Sequence, residues 1–313
     1  MMASRRRFLS IVAGLPLLSL PLVARSELKC RSWRGVALGA DAEIIIAGNG
    51  ATCSDALAAA VDAIRRMERL FSLHDPASAL SELNASGRLA MPPEFQRLTG
   101  IVARVHSLTR GLFDPTVQPV FVELAERGEL PSGRDLQKLL ARTGWHKVVL
   151  DDNMIAFSQP GMALTFNGVA QGFATDRVIE TLEAHGIGNV VANIGEFRSS
   201  GLAVDIAVEG MHGRVLDQFR LQDGAVATSA SRGTVIGRAG KSHILSPVEP
   251  QHEPVRQTAS VQAGTAAMAD ALSTALVLAP GTGLAQDLVD GGSANAVLLE
   301  DADGGIVEIR PTG

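Results

Sequence analysis

The sequence predicts an α+β fold in which mixed or antiparallel sheets carry flanking helices. Three observations lead there. Hairpin-like strand pairs mix with separate helices, unlike the regular strand–helix rhythm of a doubly wound parallel sheet. No internal repeat or low-complexity linker interrupts the chain. About 290 of the 313 residues remain once an N-terminal leader is set aside, enough for one large domain or two small ones.

The leader is "SRRRFLSIVAGLPLLSLPLVA". Arg5, Arg6 and Arg7 follow Ser4 and precede Phe8 and Leu9. An apolar run broken by Gly14, Pro16 and Pro21 ends in small residues near Ala24. This is the form of a twin-arginine export signal, cleaved around Ala24, and it divides the chain into residues 1–24 and 25–313. A membrane anchor fits less well, because the run is short and carries helix breakers. The expected location is the periplasm. That export route carries folded proteins, often with a cofactor already inside, which favours a cofactor protein.

Elements follow in order from hydrophobic periodicity. A strand is expected at 43–48 and an amphipathic helix at 53–70, where Ala56, Ala59, Ile64, Met67 and Leu70 recur at helical spacing. "HDPASALSELN" is a polar turn. Helices fill 94–110, 117–127 and 133–142, and strands 146–151 and 154–158. After "LTF", Gly168 to His185 has helical periodicity and stops at Gly186. "NVVANIG" is a buried strand. Further strands are expected at 203–209, 225–229 and 258–263, then helices at 267–279 and 281–289 and a hairpin at 295–310.

Composition excludes some partners. Without residues 1–24 the chain has 25 basic and 33 acidic residues, a net charge of −8. No basic stripe with interleaved aromatics marks a nucleic-acid surface. No later segment has the roughly 18 unbroken apolar residues of a membrane span. Cys30 and Cys53 allow a disulfide or two unlinked thiols, and one pair is no framework.

Four constellations carry chemistry. In "AMADALSTALVLA", Asp270 and Thr274 lie four apart, on one face of a helix. Either they meet water on a solvated face, or they lie buried among alanines and leucines and need a partner. Carboxylate plus hydroxyl suits Mg²⁺, which takes its remaining oxygens from water and a phosphate-bearing ligand. "LTFNGVAQGFATDRV" joins a strand to a helix at Asn167–Gly168, and a glycine-containing helix N-terminus is an anion site. In "GLFDPTVQP", Phe113 can stack on a ring, while Asp114 before Pro115 either fixes a turn or caps a helix. "VATSAS" is followed by "KSHILSP", whose His243 adjoins a strand end.

In order, these segments resemble the FAD:protein FMN transferases of the ApbE family, from about Trp33 to Leu278. "LFSLHDPASALSELN", "GLFDPTVQPV", "NGVAQGFATDRV", "ANIGEFRSSG", "VATSAS", "KSHILSP" and "ADALSTAL" each match a family segment. The resemblance implies an ApbE-like flavin transferase fold. It implies Mg²⁺ held by Asp270, Thr274 and the carbonyl of Gly168. FAD, the substrate, would be contacted by Leu38, His74, Leu112, Phe113, Asp114, Thr165, Gln171 and Ile244. His243 would assist proton removal as a Thr or Ser hydroxyl of an acceptor flavoprotein attacks the FMN phosphorus and expels AMP. The acceptor would be an exported or membrane electron-transfer protein, the only link to a membrane.

Several positions depart from the family pattern. His74 stands for a tyrosine, Thr165 for an aspartate and Gln171 for a lysine. One glycine is missing at Gly195–Glu196, and Ser246 replaces an aspartate. Two other functions therefore compete: a FAD-binding protein without transferase activity, and a Mg²⁺-dependent FAD pyrophosphatase in which water replaces the protein hydroxyl.

Overall fold

The computed structural model describes residues 9–11, 30–48, 51–237 and 240–311. The elements begin with β1 (Leu9–Ile11), β2 (Cys30–Ala37), β3 (Ala40–Ala47), α1 (Ala51–Phe71), α2 (Ala79–Ser86), β4 (Arg88–Ala90) and α3 (Pro93–Leu108). Next come α4 (Gln118–Arg127), α5 (Gly133–Leu140), β5 (Val148–Leu150), β6 (Met154–Phe157), α6 (Ala170–Ala184), β7 (Val190–Asn193), β8 (Phe197–Ser200) and β9 (Val204–Glu209). The chain continues through β10 (Val215–Leu221), β11 (Ala225–Ala230), β12 (Val235–Ile236), β13 (Lys241–Ser242) and β14 (Arg256–Ala263). It closes with α7 (Ala266–Leu278), α8 (Gly283–Asp290), β15 (Ala296–Asp301) and β16 (Ile306–Ile309).

The frame is an eight-stranded sheet of order β16-β15-β14-β11-β8-β7-β3-β2. Every pairing in it is antiparallel, so the α+β expectation holds. Helices α1, α6 and α7 form a packed layer with one another, and α7 lies against β11 and β14. Residues of β9 and β10 share a second core with β7, β8, β11 and β15. β7 shows what two covered faces require. Val190 and Ala192 enter the main core while Val191 enters the second, so the strand is apolar on both sides.

Local chemistry explains several elements. α1 buries Ala56, Ala60, Ile64, Met67 and Phe71, one face at helical spacing. The β2–β3 hairpin turns on Leu38 and Gly39, with φ of 48° and 78°, the pair of positive values that a tight two-residue turn needs. The polar "HDPASALSELN" is a turn only in its first part. Ser78 then caps α2, accepting from Ser81 N at 3.0 Å.

Other expected elements lie within a few residues of their predicted ends. The strand expected at 146–151 starts as a short 3₁₀ turn, Trp145–Lys147, and only Val148–Leu150 pairs. β2, β4, β8, β10 and the short β12–β13 pair add strands that periodicity does not reveal. Cys53 is a free, buried thiol. Among the described residues no helix is long and apolar enough to cross a membrane. The expected leader arginines Arg5, Arg6 and Arg7 lie outside the described residues; Leu9–Ile11 pairs antiparallel with β9.

Candidate active site

The site is anchored by aromatic packing. Phe71 of α1 meets Phe95, Phe166 and Phe173 at ring-centroid distances of 5.6, 5.7 and 5.8 Å, and Phe95 lies 5.5 Å from Phe166. The pairs of Phe71 with Phe166 and Phe173, and of Phe95 with Phe166, are edge-on, an arrangement that adds about 0.5–1.5 kcal/mol each beyond area burial. They fix three helices around the chain that leads into α6. Asn84 fastens that same segment, donating to Leu164 O at 2.9 Å and accepting from Leu164 N at 2.7 Å.

Gly168 follows in a turn, residues 167–169, that leads directly into α6; the strand expected before it does not form. A Cβ there would lie 2.9 Å from Thr274 Oγ1, so only glycine lets this backbone come so close to α7. Gly172, one turn on, is tighter: a Cβ would sit 2.3 Å from Ala266 O. This approach lets α6 and α7 tie each other. Asp270 Oδ2 accepts from Gly172 N at 3.1 Å, in the first turn of α6. Asp176 in turn accepts from Ala266 N and Ala267 N at 2.8 and 2.9 Å, at the start of α7. Each carboxylate satisfies N–H groups that a helix leaves open at its N-terminus. Burial pushes the Asp176 carboxyl up, opposed by Arg198 at 2.6 Å and by the two amides.

Asp270 is therefore no solvated surface acid; it is only 4% exposed. Its neighbour Thr274 is half-buried and meets Ser229 Oγ at 3.2 Å, and Ser229 Oγ meets Ser273 Oγ at 2.8 Å. β11 supplies Ser229 because its register against β14 turns that side chain toward α7.

His243 Nδ1 lies 2.8 Å from Thr234 O. A carbonyl only accepts, so Nδ1 carries a proton, and in the neutral ring the acceptor nitrogen is then Nε2. Asp114 caps the turn Pro115–Val117, accepting from Thr116 N at 2.9 Å, Thr116 Oγ1 at 2.6 Å and Trp145 N at 3.0 Å. Burial raises its pKa, but the bonds from His106, Thr116 and Trp145 outweigh it and hold the carboxyl below its ordinary range. Gln171 Nε2 reaches Leu38 O at 3.4 Å, and its amide packs against Gly195, whose φ is 101°.

One cavity of about 430 Å³ gathers these groups. Its walls include His243, Leu112, Phe113, Asp114, Thr165, Gln171, Ile244, Gly168, Asp270 and Thr274. Two predicted FAD contacts lie elsewhere. His74 is on an exposed loop and outside the cavity wall, and Leu38 is in the hairpin turn, touching the site through its carbonyl alone. Ser229 and Asn193 line the cavity but were not singled out by sequence, since neither carries a chemical signature alone. Ser273 also escaped, although it sits beside Thr274.

The donors fit a hard divalent cation. The carboxylate of Asp270, the hydroxyl of Thr274 and the backbone at Gly168 offer oxygen throughout, the donor type a hard cation prefers. No cluster of three or more His, Cys, Asp and Glu side chains occurs among the described residues. This set has one carboxylate, so it depends on hydroxyl and backbone oxygens instead.

The model of the ApbE family matches residues 38–293. The FAD:protein FMN transferase of Vibrio cholerae is 29% identical over 163 residues, 46% of this chain. The match spans 48% of that protein's own length, about half. The enzyme of the same name from Treponema pallidum is 26% identical over 247 residues, 68% of each chain. Flavin transferase is the enzyme class that these relatives support. The apo structure of the flavinyl transferase ApbE from Pseudomonas stutzeri shares the fold, with a TM-score of 0.78 over 90% of this chain and 94% of that one at 24% identity. The matched stretch holds the aromatic anchor, the mutually tied helices and every cavity residue named here, and on that extent the chain belongs to the ApbE family.

Proposed function

We propose that this protein moves FMN from FAD to a Thr or Ser hydroxyl of an acceptor protein, releasing AMP, with Mg²⁺ as the required ion. The observation that carries the reading is that Asp270, Thr274, Gly168 and His243 all line one cavity. The acceptor oxygen forms a bond to the FMN phosphorus, and the bond from that phosphorus to the bridging oxygen breaks. AMP departs with the bridging oxygen. His243 Nε2 takes the proton of the attacking hydroxyl, because Nδ1 is committed to Thr234 O. Leu112, Phe113 and Ile244 supply apolar wall for the isoalloxazine ring. Asp270, Thr274 and the Gly168 carbonyl would hold the Mg²⁺, whose chemistry is to neutralise charge on the pyrophosphate and on departing AMP.

The reading extends to place and partner. The leader at residues 4–24 supports twin-arginine export to the periplasm and an acceptor among exported or membrane electron-transfer proteins. The test of function incubates the mature protein with FAD, Mg²⁺ and a periplasmic electron-transfer protein bearing an exposed Thr. An acceptor heavier by one FMN and fluorescent on a denaturing gel is the expected result. Free FMN plus AMP with an unlabelled acceptor would overturn transfer in favour of hydrolysis. For export, Arg5→Lys with Arg6→Lys should leave the precursor in the cytoplasm, and normal periplasmic accumulation would refute that route.

A further inference from the structure

We infer that Ser229 is a positioning residue that turns the Thr274 hydroxyl into a cation ligand, through a directed chain of hydrogen bonds ending on the carbonyl of Asp270. The inference rests on the metal site proposed above and goes beyond it to the way that site is oriented.

The direction follows from counting protons. A serine or threonine hydroxyl has one hydrogen to give and two lone pairs to offer. Ser273 Oγ donates to Asp270 O at 2.9 Å, and a carbonyl cannot donate back. The hydrogen of Ser273 is thereby used. Its 2.8 Å contact with Ser229 Oγ must then be a bond donated by Ser229. With that hydrogen used in turn, the 3.2 Å contact between Ser229 and Thr274 must be donated by Thr274. The chain runs from Thr274 to Ser229, to Ser273, to the Asp270 carbonyl.

This order has a consequence for Thr274. Its hydrogen points at Ser229, so its lone pairs face away from Ser229 and are left for the cavity that Asp270 and Gly168 also line. A hydroxyl must hold its hydrogen away from a cation in order to ligate it. Ligation also makes that hydrogen more acidic and strengthens its bond to an acceptor. Ser229 supplies the acceptor. Ser273, fully buried, fixes Ser229. The arrangement is the hydroxyl counterpart of a ligating histidine whose second nitrogen is held by an outer partner.

The test uses Mn²⁺ as the probe. Free ion is counted by electron paramagnetic resonance during titration of the mature, metal-stripped protein, and Mg²⁺ competition shows that the site is shared. Ser229→Ala should weaken Mn²⁺ binding by about 10-fold or more, the usual effect of losing a partner that orients a ligand. Ser229→Thr, which keeps the hydroxyl, should restore binding. The decisive comparison is Ser229→Ala in a Thr274→Val background. If Ser229 acts through Thr274, the second change should then cost less than about 3-fold, because coupled residues are non-additive. Unchanged binding in Ser229→Ala would overturn the inference, and so would an equal loss in both backgrounds. Should Ser229→Ala fold poorly in metal-free melts, Ser273→Ala breaks the chain at its far end and should also weaken binding. No Mn²⁺ binding by the unsubstituted protein would instead refute the metal site itself.

Discussion

Gly172→Ala tests whether the close approach of α6 and α7 builds the site. The added Cβ would lie 2.3 Å from Ala266 O, 2.5 Å from its carbonyl carbon and 2.8 Å from Ala267 N. These are backbone atoms and cannot swing aside, so the helices must part by roughly 1 Å to regain ordinary contact of about 3.5 Å. Overpacking of this kind costs about 1–3 kcal/mol. Parting the helices also stretches the bond from Gly172 N to Asp270 Oδ2, and a hydrogen bond to a charged group contributes about 1.5–3 kcal/mol. Alanine's better helix propensity returns only about 1 kcal/mol, so destabilisation wins by about 3 kcal/mol. For a domain of this size that lowers the melting temperature by about 6–12 °C. Thermal melts of the metal-free protein measure the shift, and FAD titration with and without Mg²⁺ measures damage to the site. A melt within about 2 °C of the original protein would refute the reasoning, because the clash would then have relaxed without cost.

Two further outcomes follow from the same geometry. Asp270→Asn keeps an oxygen for Gly172 N, so its melt should shift by about 1 kcal/mol or less while Mg²⁺-dependent FAD binding is lost. Thr274→Val should weaken that dependence less, since a neutral hydroxyl binds a cation less strongly than a carboxylate. FAD titrations across Mg²⁺ concentrations compare the two. Asp114 contributes stability that is present above the ordinary aspartate value of 3.8 and is lost as pH falls through its lower folded-state pKa. Asp114→Asn should therefore melt lower at neutral pH and show a flatter decline of melting temperature in acid. Parallel profiles for the two proteins would refute the capping role.

The elements that were legible in the sequence are those whose own residues carry the signal. α7 was placed to within a residue at each end by its run of small and apolar side chains, and the Asp270–Thr274 pair came with it. β2 was not legible. "CRSWRGVA" is an edge strand without clean alternation, and it pairs on one side only. β10 hid for a similar reason, because only its second half, Gln218 to Leu221, alternates between exposed and buried residues. Within the site, His243 and the residues around Phe113 came from motif order. Ser229 and Ser273 did not, because their meaning depends on β11 lying against α7 across more than forty positions. Asp114 was left open between turn-fixing and capping, and its three bonds from Thr116 and Trp145 decide for the cap.

The crossed ties of Asp176 and Asp270 bear on how a ligand is received. Each helix has its first turn held by a carboxylate from the other, so neither can tilt or slide without opening buried N–H groups. These ties need no ligand. The conformational entropy of arranging the cavity wall is therefore lost once, during folding, and an arriving nucleotide has little left to order there. Such a receptor works by selection among ligands that already fit. Its association should be fast and its heat-capacity change should reflect the apolar surface of the ligand rather than any coupled folding of the wall.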